Sequence, residues 1–108
     1  MIAVIFEVWI NESKKSEYLD IAAALKKELK NIEGFISIER FQSLSDDQKI
    51  LSLSFWENEN AISEWRNFEQ HKSAQQKGRS SIFNDYKIRV GNIVRNYGFY
   101  DRKECPFR

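Results

Sequence analysis

At 108 residues the chain has room for one domain. Its 17 Lys and Arg nearly balance 16 Asp and Glu, so no basic excess points to nucleic acid and no acidic run to a solvating tail. Eight Phe, four Tyr and three Trp are a heavy aromatic load, and a monomer this small buries only about two thirds of its unfolded surface; a second copy is an early expectation.

The opening Met1-Ile2-Ala3-Val4-Ile5-Phe6 is apolar but falls short of the roughly 18 residues of a membrane helix. It also lacks the basic start and cleavage site of a signal peptide. Residues 2 to 10 alternate instead: Ile2, Val4, Phe6, Val8 and Ile10 against Ala3, Ile5, Glu7 and Trp9. That is a strand, and both of its faces are apolar enough to need covering.

Ser13 is placed to cap a helix. Tyr18, Ile21, Ala22, Leu25 and Leu29 form its apolar stripe, Lys26, Lys27 and Lys30 suit its last turns, and Gly34 supplies a left-handed residue beyond its end. Phe35 to Gln42 and Ile50 to Trp56 read as strands joined by the polar turn Ser43 to Lys49, a hairpin. In the first, Ile36 and Ile38 share a face opposite Phe35, Ser37 and Phe41. In the second, Leu51, Leu53 and Phe55 oppose Ser52 and Ser54.

Asn58 then caps a helix carrying Ala61, Ile62, Trp65 and Phe68, with a second short helix expected from about Gln70 to Gly78. Tyr86 to Tyr97 is the last strand, with a bulge expected at Gly91-Asn92 where the alternation slips. The domain is expected over residues 1–97, with 98–108 an aromatic, charged tail in which Pro106 forbids further strand.

The order β-α-β-β-α-β is the split βαβ, ferredoxin-like arrangement: α+β, with an antiparallel sheet and both helices on one face. On one choice of phase the other face carries Ile5, Trp9, Phe35, Phe41, Ile50 and Trp56. A patch that large marks an interface, and two sheets packed face to face would cover it.

Chemistry is sparse. The four Gly are isolated, so no phosphate-binding loop is present, and a single His makes no multi-His metal site. Cys105 is the only Cys, which excludes an intrachain disulfide and makes a cytoplasmic location the default expectation. Trp65 has two readings, a core filler between helix and sheet or the wall of a pocket for a planar molecule. His71 also has two, a surface residue held by a backbone hydrogen bond, or a functional one, as proton donor and acceptor or as axial ligand to a haem iron. Six residues separate it from Trp65, about 240° around an ideal helix, so only a break in the helix aligns them. Lys77, Arg79, Lys87 and Arg89 read most simply as a solvated face.

"NIEGFISIERFQS" and "LSLSFWENENAISEWRNFEQHKSAQQKG" resemble the antibiotic biosynthesis monooxygenase family: an aromatic-ended strand, Phe55-Trp56, an acidic turn, Ala61, Trp65 and then His71. "DYKIRVGNIVRNYG" is similar to the closing strand of one of its subgroups, and the resemblance spans about residues 1–97. It implies a dimeric α/β barrel formed by two ferredoxin-like subunits, sheet against sheet. It further implies oxidation of a small aromatic or quinol-like molecule by O₂ without metal, flavin or other cofactor, with His71 catalytic and Trp65 and Phe68 binding the substrate. The alternatives are a non-enzymatic small-ligand-binding protein on the same scaffold, or a haem-binding or haem-degrading monooxygenase. The haem-degrading branch resembles the chain in its Glu33-Gly34-Phe35 and Trp65. That branch uses a later histidine and a first-strand asparagine where this chain has Gln75 and Glu7 or Val8.

Overall fold

The computed structural model describes residues 1–75 and 83–100, and for 68–75 the backbone alone. Strand β1 (Ile2–Ile10) leads through a 3-10 turn (Glu12–Lys14) into helix α1 (Lys15–Leu29). The hairpin β2 (Phe35–Gln42) and β3 (Lys49–Trp56) follows, then α2 (Glu59–Gln75) and β4 (Phe83–Asn92). All neighbouring strands are antiparallel, in the order β2-β3-β1-β4. The fold is therefore the α+β ferredoxin-like one, each βαβ unit split by a strand of the other.

Local chemistry accounts for most of the element ends. Asn11, not Ser13, caps the first helical turn: its side-chain oxygen accepts the Ser13 N–H at 3.2 Å and the Ser13 hydroxyl at 2.9 Å. Asn58 caps α2 by accepting the Ala61 N–H at 2.9 Å, satisfying one of the donors a helix start leaves open. In the β2–β3 turn the Gln42 amide donates to the carbonyls of Asp46, Asp47 and Lys49 at 3.1–3.2 Å. Gly34 has φ +91°, and a Cβ there would lie 2.8 Å from that of Ala61. Glycine is thus required both by the backbone and by the closeness of α2.

Four expectations change. Phe35 pairs with Trp56 and Ser37 with Phe55, so Ile36 is an extra residue in a bulge. The bulge turns Phe35 to the helix side, where it meets Trp56 edge-on at 5.2 Å between ring centres. Ile50 and Trp56 also belong to the helix side, because they pair with Val8 and Ile2. Leu51, Leu53 and Phe55 therefore join Ile5, Trp9 and Phe41 on the open face. In β4 the bulge falls at the opposite end: Trp9 pairs with Asp85 and Ile10 with Phe83, and Gly91 stays in register with Ala3. Finally, α2 is one continuous helix to Gln75, since nothing between Glu69 and Gln75 breaks it.

The buried apolar residues between sheet and helices form two clusters. One joins Val8, Ile10 and Ile50 to Tyr18 and Ala22 of α1. The other joins Ile2 and Trp56 to Leu29 of α1 and Ala61 of α2. No helix among the described residues is long and apolar enough to cross a membrane.

Candidate functional site

Strand register sets what the helix side of the sheet offers. Successive cross-strand rows there are Ile38, Ser54, Val4 and Val90, then Arg40, Ser52, Phe6 and Ile88. These rows lie between the two buried clusters, and at their β3 positions the side chains are serines, each 5% exposed. Ser54 accepts the indole N–H of Trp56 at 2.9 Å, which satisfies a buried donor and leaves the Ser54 O–H able to donate. Toward β4 the same side opens to solvent, with Ile88 and Val90 about half exposed. The helix-covered layer thus grades from polar and buried over β3 to apolar and accessible over β4.

Trp65 packs against the cluster that contains Ala61, Trp56 and Leu29, together with Ile38, Ile62 and Val4. It is half-buried, which fits both a core filler and a wall. Phe68 lies three residues on, on the same stripe of α2 as Ala61 and Trp65. His71 lies in the last turns of the same helix. Because α2 is unbroken, positions 65 and 71 lie about 120° apart around its axis (about 240° the long way). The side chains of Phe68, His71 and Gln75 lie outside the described residues, as do Lys77 and Arg79 altogether.

The one residue of this layer that the sequence reading passed over is Arg40. It pairs with Ser52 across β2 and β3 on the helix side, and its Nε is buried without a hydrogen-bond partner. The signal was available: a charged residue in phase with Ile38 on a strand.

The open face carries a separate charged group. Glu7 meets Arg89 Nη1 at 2.7 Å and Lys49 Nζ at 3.3 Å, and Lys49 also lies 5.0 Å from the centre of the Trp9 ring. The Lys49 hydrogen bond is the main reason the Glu7 carboxyl titrates below the ordinary glutamate value. The Lys49 and Arg89 charges add to the effect, and desolvation works partly against it. Arg89 is thus paired across strands rather than simply solvated. Two open surface hollows, of about 450 and 490 Å³, lie at the β2 edge and beside the start of α2; neither is lined by Arg40, Ser52 or Trp65.

Neither first-strand position compared with the haem-degrading branch places a polar side chain on the helix side. Glu7 projects to the open face, and Val8 is fully buried and apolar. Among the described residues no three His, Cys, Asp or Glu side chains gather as metal ligands.

The family model for antibiotic biosynthesis monooxygenases matches residues 1–77. The chain is 47% identical over 94 residues to the jasmonate monooxygenase ABM of Pyricularia oryzae, covering 87% of this chain and 44% of that protein. It is 31% identical over 68 residues to the uncharacterized YqjZ of Bacillus subtilis, covering 63% of this chain and 58% of that one. The chain therefore spans about half the length of the curated relatives it matches. Solved structures with the same fold include Rv0793 of Mycobacterium tuberculosis (TM-score 0.76, 12% identity, 90% of this chain and 98% of that one). The heme-degrader MhuD of the same organism also shares it (TM-score 0.72, 13% identity, 91% and 100%). With a family model matching residues 1–77 of 108, the chain belongs to the antibiotic biosynthesis monooxygenase family.

Proposed function

We propose that the chain is a cofactor-independent monooxygenase acting on a small aromatic or quinol-like molecule held between helices and sheet. The supporting observation is the combination of 47% identity to a fungal monooxygenase with a helix–sheet layer that is lined by Trp65 and opens toward β4. Jasmonate, the substrate in that relative's name, is a small organic acid. Trp65 and Phe68 wall the site.

Chemically, the substrate supplies all four electrons that O₂ takes up. For a phenol oxidised to a quinone, one oxygen atom enters the ring and the other leaves as water. His71, about 60° around the unbroken α2 from Phe68 and so at the edge of the Trp65–Phe68 stripe rather than in line with Trp65, takes the proton from the reacting hydroxyl, so that the electron-rich anion meets O₂. It returns a proton as the oxygen–oxygen bond breaks. In the assembled protein two subunits pack through their open faces, which bear Ile5, Trp9, Phe41, Leu51, Leu53 and Phe55.

Oxygen uptake with a panel of naphthols and quinols tests the reading. The wild type should consume O₂ with at least one of them, and His71→Ala should slow uptake by about 10²-fold or more. Equal rates remove His71 from the mechanism. No uptake with any member of the panel favours a ligand-binding protein instead.

A further inference from the structure

Arg40 is out of keeping with its surroundings. The residue as a whole is half-buried, yet its Nε–H is buried without an acceptor. A buried donor left unmatched destabilises the fold, more so when it is charged. The neighbouring acid on the strand, Glu39, faces the other side, paired with Leu53. No ion pair among the described residues involves Arg40. Directly across from it stands Ser52, and diagonally Ser54, both buried. The two serines place hydroxyls, rather than apolar atoms, between the two apolar clusters.

We propose that Arg40, with Ser52 and Ser54, forms an anion-recognition site in the helix–sheet layer that takes the carboxylate of an otherwise apolar ligand. The inward edge of a guanidinium presents parallel N–H donors that match the two oxygens of a carboxylate, and the serine hydroxyls donate beside them. A single cation in the row suits a monoanion. From Arg40 the row continues through Ser52 to Phe6 and Ile88, from polar to apolar. At roughly 4.8 Å per strand it spans about 14 Å, the length of an acid with a body of one or two rings. The ligand's acid lies over β2 and β3, and its apolar part reaches the accessible side of β4.

The site deepens the proposed function by naming a chemical class, and it rests on the reading that this layer holds the substrate. Its test needs no turnover. The probes are 2-naphthoate and methyl 2-naphthoate, titrated into the full chain with the arginine Nε–H signals followed by nuclear magnetic resonance. The Arg40 signal is identified by its loss in Arg40→Met. In the wild type the acid should bind about tenfold tighter than the ester or better, and it should shift the Arg40 signal. Arg40→Met should erase that preference without lowering the melting temperature, since it removes a donor that nothing satisfies. Arg40→Lys should retain part of it. The proposal is overturned by equal binding of acid and ester, by a preference that survives Arg40→Met, or by a clear loss of thermal stability in Arg40→Met, which would make Arg40 structural. Absence of oxygen uptake leaves the acid-against-ester comparison standing, so the two ideas fail separately.

Discussion

Trp56 and Ser54, two residues apart on β3 and both on the helix side, are joined by a buried hydrogen bond of 2.9 Å from indole N–H to hydroxyl. The serine is thus a structural partner of the tryptophan as well as a polar surface of the layer. Ser54→Ala keeps the volume nearly constant but strands the indole donor. It should cost about 1–3 kcal/mol in urea unfolding, whereas Ser54→Thr should cost less because the hydroxyl is kept.

Gly34→Ala should destabilise by about 1–2 kcal/mol from the left-handed backbone alone. The 2.8 Å approach to Ala61 raises that further. Ala61→Gly in the same chain relieves the contact but not the backbone. The double variant should therefore recover only part of the loss, as measured by the denaturation midpoint.

The Glu7 cluster carries a pH signature. Its folded carboxyl titrates below the ordinary glutamate value of about 4.3, chiefly because of Lys49. The stabilising contribution is therefore complete above that value and is lost as pH falls through the lower folded one. Glu7→Gln should flatten the acid limb of stability against pH. An unchanged acid limb would show that the ion pairs are not what the folded state gains there.

Assembly can be checked directly. Light scattering at micromolar protein should give about twice the 12.8 kDa chain mass. Leu53→Glu places a charge on the open face, beside Ile5 and away from the helices, and should yield a folded monomer. Wild type that is already monomeric refutes the paired-sheet arrangement.

Titration with hemin should give no sharp, stoichiometric Soret band. Glu7 faces away from the helices, Val8 is apolar, and residue 75 is glutamine. A tight one-to-one complex that disappears in His71→Ala would reverse this.

Much of the architecture was readable from periodicity. The β1 alternation, the Tyr18 to Leu29 stripe, the Asn58 cap and the need for glycine at 34 all depend on residues near one another in sequence. What escaped depends on pairing between strands. Nothing local marks Ile36 as an extra residue; it becomes one only when Phe35 and Ser37 find Trp56 and Phe55. The alternation in β3 was plain, but its usual meaning is inverted, because Leu51, Leu53 and Phe55 face away from the helices and the serines face them. Arg40 is half a case of this: its phase with Ile38 was legible in the sequence, but that this side of β2 faces the helices follows only from Ser52 and Ser54 across the hairpin.

The serine rows have a mechanical consequence. The two apolar clusters are held to a common frame by the backbones of β1 and β3 and by α1, which gives Tyr18 and Ala22 to one and Leu29 to the other. The domain is built like a bridge of two spans with a light joint at mid-length. A guest seated over that joint touches both spans at once. Occupancy would then be felt far from the guest itself, as a sharper thermal transition and as slower amide exchange at both ends of α1.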